Sequence, residues 1–276
     1  RDESSTLERC LASIRPHVDE LVIVDTGSTD GSASIAARFA DVFERWEGCN
    51  DRDGRIVDFS AARNYALGLA TGDALAWFDG DDVVRGAENL RKLASEAAGR
   101  HGEGAWAYLA PYEYERDAAW RVTTLQWRER LVYPRAGWEW RGPVHEGLLG
   151  KAGVTPTYMQ TDALVVEHLT RESTKPRARD RNLRILEAHV RKVGETDARS
   201  LHYFGSELML NHRIGEASYW FRRHVQLSGW SDERCLSLMH LARIQLAMGD
   251  WGAAIDWALQ AVGTKAWPEP YWLIGQ

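Results

Sequence analysis

The stretch LAWFDGDDVV, residues 75–84, decides how this chain is read. Its first half, Leu75 to Phe78, is wholly apolar, as a buried strand of an α/β sheet is. Its second half crowds Asp79, Asp81 and Asp82 into four positions. Carboxylates at the end of such a strand face the crevice where open α/β sheets take their ligands. Asp79 and Asp81, one residue apart, suit a hard divalent cation such as Mg²⁺ or Mn²⁺, held directly or through water. Gly80 between them lets a ligand come close to the backbone. Taken alone, an acidic turn of this kind is more often a solvated loop, and the apolar strand before it weighs against that. An EF-hand calcium loop does not fit, because no acidic series with a bidentate Glu follows at the required spacing.

Outward from this stretch, apolar runs alternate with helical ones. STLERCLASIRPHV (5–18) sets Leu7, Cys10, Leu11 and Ile14 at helical spacing, with Ser5 or Thr6 as N-cap. ELVIVDTGS (20–28) reads as a strand, GSASIAARFA (31–40) as a helix and DVFERW (41–46) as a strand. FSAARNYALGLATG (59–72) reads as a helix ending at Gly72, and DALAWFDGDD (73–82) as the next strand. Strand and helix alternating from Arg1 to about His168 imply a parallel sheet covered on both faces. Asp25, like Asp79, then stands at the carboxyl end of a strand.

Three further segments carry candidate chemistry. VDTGSTDGS (24–32) aims backbone N–H groups at a ligand, yet lacks both the P-loop and the G-x-G-x-x-G spacing. Asp25 suits a base or ribose better than a phosphate, and a plain strand-to-helix turn accounts for the segment equally well. In DFSAARNYA (58–66), Arg63 is placed to clamp a phosphate or to position Asp79, or is a surface cation. In GWEWRGPVHEGL (137–148) and VVEHL (165–169), His145 or His168 is able to complete a carboxylate metal site, and Glu146 to act as general base. A single histidine is more often structural. Trp138 and Trp140 form either a stacking wall for a ligand or part of the core; 13 tryptophans in the chain favour the core at least as much.

From about Ser173 the strand signals stop. Gly215, Ala217, Trp220, Val225 and Trp230 recur 37 positions on as Gly252, Ala254, Trp257, Val262 and Trp267, and Leu201 recurs as Leu238. Each unit reads as two helices, close to the tetratricopeptide pattern of about 34 residues. PEPYWLIGQ, 268–276, opens a third unit that is cut off. Such units bury their apolar faces only against neighbours. The expectation is therefore a chain that continues beyond Gln276, or a homodimer formed through the repeats.

The composition, 44% hydrophobic with 27% charged residues, suits a folded protein of 276 residues. A net charge of −6 argues against a general nucleic-acid or anionic-membrane binder, although TRESTKPRARDRNLR (170–184) is locally basic. Three widely spaced cysteines form neither a disulfide framework nor a zinc pattern, and point to a reducing, cytoplasmic setting. No apolar run is long enough for a transmembrane segment.

RDESSTLERCLASI, ELVIVDTGSTDGS, DFSAARNYAL, TGDALAWFDGDD and GWEWRGPVHEGLL, in that order, resemble glycosyltransferase family 2, the inverting nucleotide-sugar transferases of GT-A fold. The branch resembled most carries VHE and a later strand-end His ahead of tetratricopeptide-like repeats. Some members of that branch glycosylate peptides or proteins, and others build surface glycans. The resemblance implies a GT-A domain over 1–170, Rossmann-like with a mostly parallel sheet and helices on both faces, and all-α helical repeats over 171–276. It implies that Asp79 and Asp81 are the D-x-D pair holding Mn²⁺ or Mg²⁺ against the donor diphosphate, with Gly80 between them on the donor. Asp25 then contacts the nucleoside, and Asp58, Arg63 and Asn64 border the donor pocket. Glu146 falls in the region of the acceptor-side base, and either His145 or His168 is the distal metal ligand.

Family members normally begin with an apolar strand before the turn that Arg1-Asp2-Glu3 resembles; that strand is absent here, and the expectation is a trimmed chain. The implied activity is transfer of a hexose from a nucleotide sugar, a UDP-sugar first, to a hydroxyl or thiol of a peptide, a glycan or a modified nucleobase. A sugar nucleotidyltransferase, or a repeat scaffold carrying a degenerate transferase domain, are the alternative readings.

Overall fold

The first part of the chain alternates as its apolar pattern requires: α1 (Leu7–Ile14), β1 (Val22–Asp25), α2 (Ser32–Phe39), β2 (Val42–Arg45), α3 (Phe59–Leu69), β3 (Leu75–Ala76), β4 (Asp82–Arg85) and α4 (Leu90–Arg100). There follow β5 (Trp106–Arg116), β6 (Val122–Tyr133), β7 (Trp138–Arg141), β8 (Gly147–Gly150), β9 (Thr157–Gln160) and β10 (Val165–His168). The second part is helical: α5 (Lys175–Val193), α6 (Ala198–Leu210), α7 (Ile214–Leu227), α8 (Ser231–Ala247), α9 (Trp251–Thr264) and α10 (Pro268–Ile274). The structure, a computed structural model, describes residues 1–100, 104–169 and 175–276. It divides into an α/β unit, 1–141 with 146–172, and a helical unit, 142–145 with 173–276. The basic stretch 170–184 begins outside the described residues, and its remainder lies on α5.

The α/β class with a helical-repeat region is as expected, and the sheet is mixed. Its strands run β3-β6-β5-β10-β4, with β9 also paired to β5. β10 is parallel to β5 and antiparallel to β4, while β6 is antiparallel to both β3 and β5. The cause is the long β5–β6 hairpin, a connection that only antiparallel strands allow. Its turn is closed by Asp117, whose Oδ1 accepts from the N–H of Ala119 and of Arg121, both at 2.9 Å.

Side-chain alternation assigns the two faces of this sheet. Tyr108, Ala110 and Leu131 pack with Leu7, Leu11 and Ile14 of α1, Ala36 of α2 and Leu93 of α4. Ala107 and Val132, one position away on the same strands, pack with Leu67 of α3 and with Trp138, Trp140 and Leu148 of the β7–β8 hairpin. β1 and β2 form a separate parallel pair. A cavity of about 660 Å³ is lined by residues of β1 and β3, together with the inner side of α1.

Two expected boundaries move, and both moves matter for the site. α3 stops at Leu69 rather than Gly72, because Ala70 already takes an extended backbone (φ −66°, ψ 140°). Of the strand expected over 73–82, only Leu75 and Ala76 pair as β3, and Asp82 already belongs to β4. Asp79 to Asp82 instead form a turn, closed by Asp82 N–H donating to Asp79 O at 3.0 Å, and β4 starts at Asp82 itself. The acidic residues therefore lie on a turn between β3 and β4, two strands that pair with different neighbours.

In the helical unit each helix from α5 to α10 packs on the next. The repeating positions bury alike: Leu201 and Leu238, and Ala217 and Ala254, are all core residues. Asp197 and Asp250 cap α6 and α9, accepting from Ser200 N–H at 3.4 Å and Ala253 N–H at 3.0 Å.

Candidate active site

The α/β unit gathers its charged side chains around Arg63. α3 starts at Asp58, whose Oδ1 accepts from Ala61 N–H at 3.0 Å and Ser60 Oγ at 2.7 Å, an ordinary side-chain N-cap. One turn on, the Arg63 guanidinium lies 4.8 Å from the Trp77 ring and 4.7 Å from the Trp140 ring. So held, it donates from Nε to Glu146 Oε1 at 2.6 Å and from Nη2 to Asp79 Oδ1 at 2.5 Å. Burial alone would raise the Asp79 pKa, but the Arg63 charge outweighs it and holds the carboxyl well below the usual range. The same two carboxylates outweigh burial at Arg63 and raise its pKa above the ordinary value. This pairing is of the strong, charge-assisted kind.

A second group forms where β4 and β10 pair. The register sets His168 directly across from Asp82, and β-sheet neighbours so placed touch. His168 Nδ1 lies 3.1 Å from Asp82 Oδ1 and 3.6 Å from Asp81 Oδ1. The Tyr114 ring lies flat on the imidazole, with centroids 5.3 Å apart and planes within 1°. Burial would lower the His168 pKa, but the hydrogen bond to Asp82 and the Asp81, Asp82 and Asp79 charges raise it. Burial pushes Asp81 up to about 6; His168 opposes this while Asp79 and Asp82 add to it.

Asp81, Asp82 and His168 offer ligand atoms all within 4.8 Å of one another, and they are the group of this kind among the described residues. Their donor set, carboxylate oxygens with one imidazole, suits Mn²⁺ or Mg²⁺. The fit also shows in the charge: three carboxylates crowd a corner where one of them, Asp81, is driven toward its protonated form. A bound cation would neutralise that charge.

The remaining expected residues take these places. Asp25, buried at the end of β1, accepts Ser28 N–H on both oxygens at 3.1 Å and Ser28 Oγ at 2.5 Å on Oδ1. The same loop is stitched to the chain's start: Asp2 N–H donates to Ser28 Oγ, Glu3 N–H to Ser32 Oγ and Ser4 N–H to Asp30 Oδ2, at 2.8 to 3.0 Å. Gly80 turns against α1, where an added Cβ would sit 3.4 Å from Leu7 Cδ1. Asn64 spends both ends of its amide on the Trp140 backbone, donating to O and accepting from N–H at 2.8 Å each. It thereby pins β7 beside Arg63.

One expectation is corrected, and the two candidate histidines take different places. Trp138 and Trp140 are 0% and 4% exposed and belong to the core, so neither offers a wall to an acceptor; Trp140 serves instead as a face for Arg63. His145 falls in the helical unit, with Nε2 3.0 Å from Glu207 Oε1 and its ring stacked on Tyr203 at 4.4 Å. His168 is the histidine that meets the acidic corner.

Sequence reading overlooked Arg130 and Tyr112. Arg130 is completely buried, with its guanidinium 4.0 Å from the Trp77 ring and 4.2 Å from the Tyr112 ring. The available signal was a charged residue next to Leu131 and Val132 in an apolar strand end.

The model of Glycosyl transferase family 2 matches residues 1–166. The SPbeta prophage-derived glycosyltransferase SunS of Bacillus subtilis is 25% identical over 231 residues, 81% of this chain and 51% of its own. A TPR repeat-containing protein of Synechococcus elongatus is 42% identical over 84 residues, 30% of this chain and 19% of its own. The chain thus spans about half the length of SunS and about a fifth of the Synechococcus protein. S. aureus TarS 1–349, solved in complex with UDP-GlcNAc, shares the fold with a TM-score of 0.50 at 11% identity, over 95% of this chain and 88% of that one. With the family model spanning well over half of its length, and the acidic corner, Arg63 and Glu146 all inside that span, the chain belongs to glycosyl transferase family 2.

Proposed function

We propose that the α/β unit transfers a sugar from a nucleotide donor, a UDP-sugar, to a hydroxyl or thiol acceptor with inversion at the anomeric carbon. One observation carries this reading. A single guanidinium, Arg63, contacts both Glu146 and Asp79, although Glu146 lies 83 positions away from it in sequence. A carboxylate suited to take an acceptor's proton thereby stands beside an acidic turn suited to a diphosphate.

In the proposed displacement the acceptor oxygen or sulfur attacks the anomeric carbon from the face opposite the diphosphate. Its proton passes to Glu146, and the bond from that carbon to the phosphate oxygen breaks with its electron pair leaving on the nucleotide. No enzymic nucleophile is needed. A divalent cation, when bound, supplies Lewis-acid neutralisation of the departing diphosphate. Asp81 and His168 are its proposed holders, with the Asp79 oxygen that Arg63 leaves untouched. Arg63 keeps Asp79 charged and orients Glu146. Asp25 and the Ser28–Ser32 loop form the nucleoside side, Asp58 starts the helix that carries Arg63, and Asn64 is a positioning residue. The three cysteines, all free and buried, accord with a reducing cytoplasm. Among the described residues no helix is long and apolar enough to cross a membrane.

The test is a thermal-shift screen of nucleotide sugars with Mn²⁺, UDP-GlcNAc first because the TarS neighbour was solved with it, followed by mass spectrometry of peptide, glycan and modified-nucleobase acceptors. Asp81→Asn is expected to abolish Mn²⁺-dependent donor turnover with the circular dichroism spectrum unchanged; full activity in that variant overturns the metal role. Pyrophosphate release from a nucleoside triphosphate and a sugar phosphate would identify a nucleotidyltransferase instead. Absence of any donor binding would leave a scaffold.

A further inference from the structure

Asp82 lies within the candidate metal group, yet its surroundings separate it from Asp81. Its side chain is completely buried, whereas that of Asp81 is 23% exposed. An ionised carboxylate offers about four lone-pair sites. At Asp82 three are met by donors, and the fourth faces the His168 imidazole. Oδ1 is 3.3 Å from Tyr112 Oη and 3.1 Å from His168 Nδ1. Oδ2 is 3.0 Å from Asp79 N and 3.4 Å from Arg130 Nη1. With a proton on His168 Nδ1, nothing is left for an ion.

The donors come from separate places on the sheet: the acidic turn, β5, β6 and β10. Arg130 is the deepest of them. It is sandwiched between the Trp77 and Tyr112 rings, and its Nη1 also reaches Trp77 O at 3.2 Å. A buried ion pair of this sort is weak evidence for stability, since two well-packed apolar residues often do as well. What it secures is geometry.

Resting on the reading of a divalent site given above, we infer that Asp82 is a positioning residue rather than a metal ligand: it takes the Nδ1 proton of His168, leaving Nε2 as the ligating atom, and Arg130 locks it in that pose. Such carboxylate–histidine pairs orient many metal-bound imidazoles, and losing the carboxylate typically costs 10–100-fold in metal affinity. Tyr114, flat on the ring, fixes its plane, and Asp82 fixes its rotation and tautomer.

The test uses Asp82→Asn and the double variant Asp82→Asn/Arg130→Met, which removes both buried charges and so guards against misfolding caused by an unpaired one. Free Mn²⁺ is titrated against each protein and followed by its electron paramagnetic resonance signal, with thermal unfolding as the fold control. The expected result is a folded double variant that binds Mn²⁺ about 10–100-fold more weakly than the wild type. Unchanged affinity overturns the inference, and so does a loss as complete as that of Asp81→Asn, which would make Asp82 a ligand. A second readout needs no metal: ¹⁵N spectra of His168, taken where the ring is neutral, are expected to show the proton on Nδ1 in the wild type and spread over both nitrogens in Asp82→Asn. A wild-type proton on Nε2 overturns the positioning role by itself. Wild-type protein that binds no Mn²⁺ removes the underlying metal reading, and the inference with it, whatever the tautomer.

Discussion

His168 in the α/β unit and His202, His224 and His240 in the helical unit are all sheltered from water, yet their environments act in opposite directions. Around His168 stand Asp79, Asp81 and Asp82, and its pKa is raised. Around His202 stand Phe221, His224 and His240, with Ser237 Oγ 2.7 Å from Nδ1 as its polar partner. Burial, with the neighbouring histidines and Arg199 adding to it, pushes His202 down to about 2, and burial lowers His224 and His240 to about 4. One unit thus concentrates negative charge at a corner that a bound cation would neutralise. The other packs its imidazoles as neutral filler between helices. The first arrangement costs stability and makes sense with a ligand; the second makes sense as a core.

If the comparison is right, substitutions in the α/β corner act on chemistry, and those in the helical unit act on folding. The largest effect is expected for Glu146→Gln: kcat falls by roughly 10²–10⁴, the usual worth of a general base, with Mn²⁺ affinity kept. Single-turnover kinetics with the best donor measure it, and a rate within tenfold of wild type removes Glu146 from the role.

Next comes the acid sensitivity of the helical unit. For His224 the folded pKa of about 4 lies below the ordinary 6.5. Below about pH 6.5 the unfolded chain takes up a proton that the folded unit refuses, so this contribution is intact above that pH and is lost as pH falls toward 4. A single histidine shifted this far is worth about 3 kcal/mol by pH 4. Urea unfolding followed at 222 nm from pH 7 to 4 should show the loss, and His224→Leu should shrink it. An equal slope in that variant breaks the comparison.

Gly205→Ala should cost about 1–3 kcal/mol, because its Cβ would sit 2.9 Å from the ring of Phe221, itself fully buried. Thermal unfolding measures this, while donor binding should stay unchanged. Smallest of all is Glu8→Ala: the Arg38–Glu8 pair at 2.8 Å is exposed on both sides, and its loss should change stability by no more than about 0.5–1 kcal/mol. A larger effect would show that exposed charge in the α/β unit matters as much as its buried charge.

The acidic turn, Arg63 and Glu146 were legible as separate motifs because each has a local pattern. DGDD follows an apolar run, Arg63 opens a helix, and Glu146 adjoins a histidine. Their convergence was not legible, since it depends on Trp77 and Trp140 meeting edge to face and both receiving one guanidinium. The surroundings of Asp82 were not legible, because its partners Tyr112, Arg130 and His168 lie 30, 48 and 86 positions away. His145 and Glu146 are adjacent in the chain and belong to different units, a division that no neighbouring residue announces.

The sequence by itself determined the periodicities: the strand–helix alternation, the buried stripe of α1, the 37-residue recurrence and the acidic turn with its neighbouring Arg. These are local, because side-chain period and turn chemistry are set within a few residues. Only the tertiary structure decided that the sheet is mixed, that Trp138 and Trp140 lie inside, and that His168 meets Asp81 and Asp82. Those outcomes follow from strand register, which places His168 across from Asp82 and is chosen by the burial of whole faces at once rather than by any single residue.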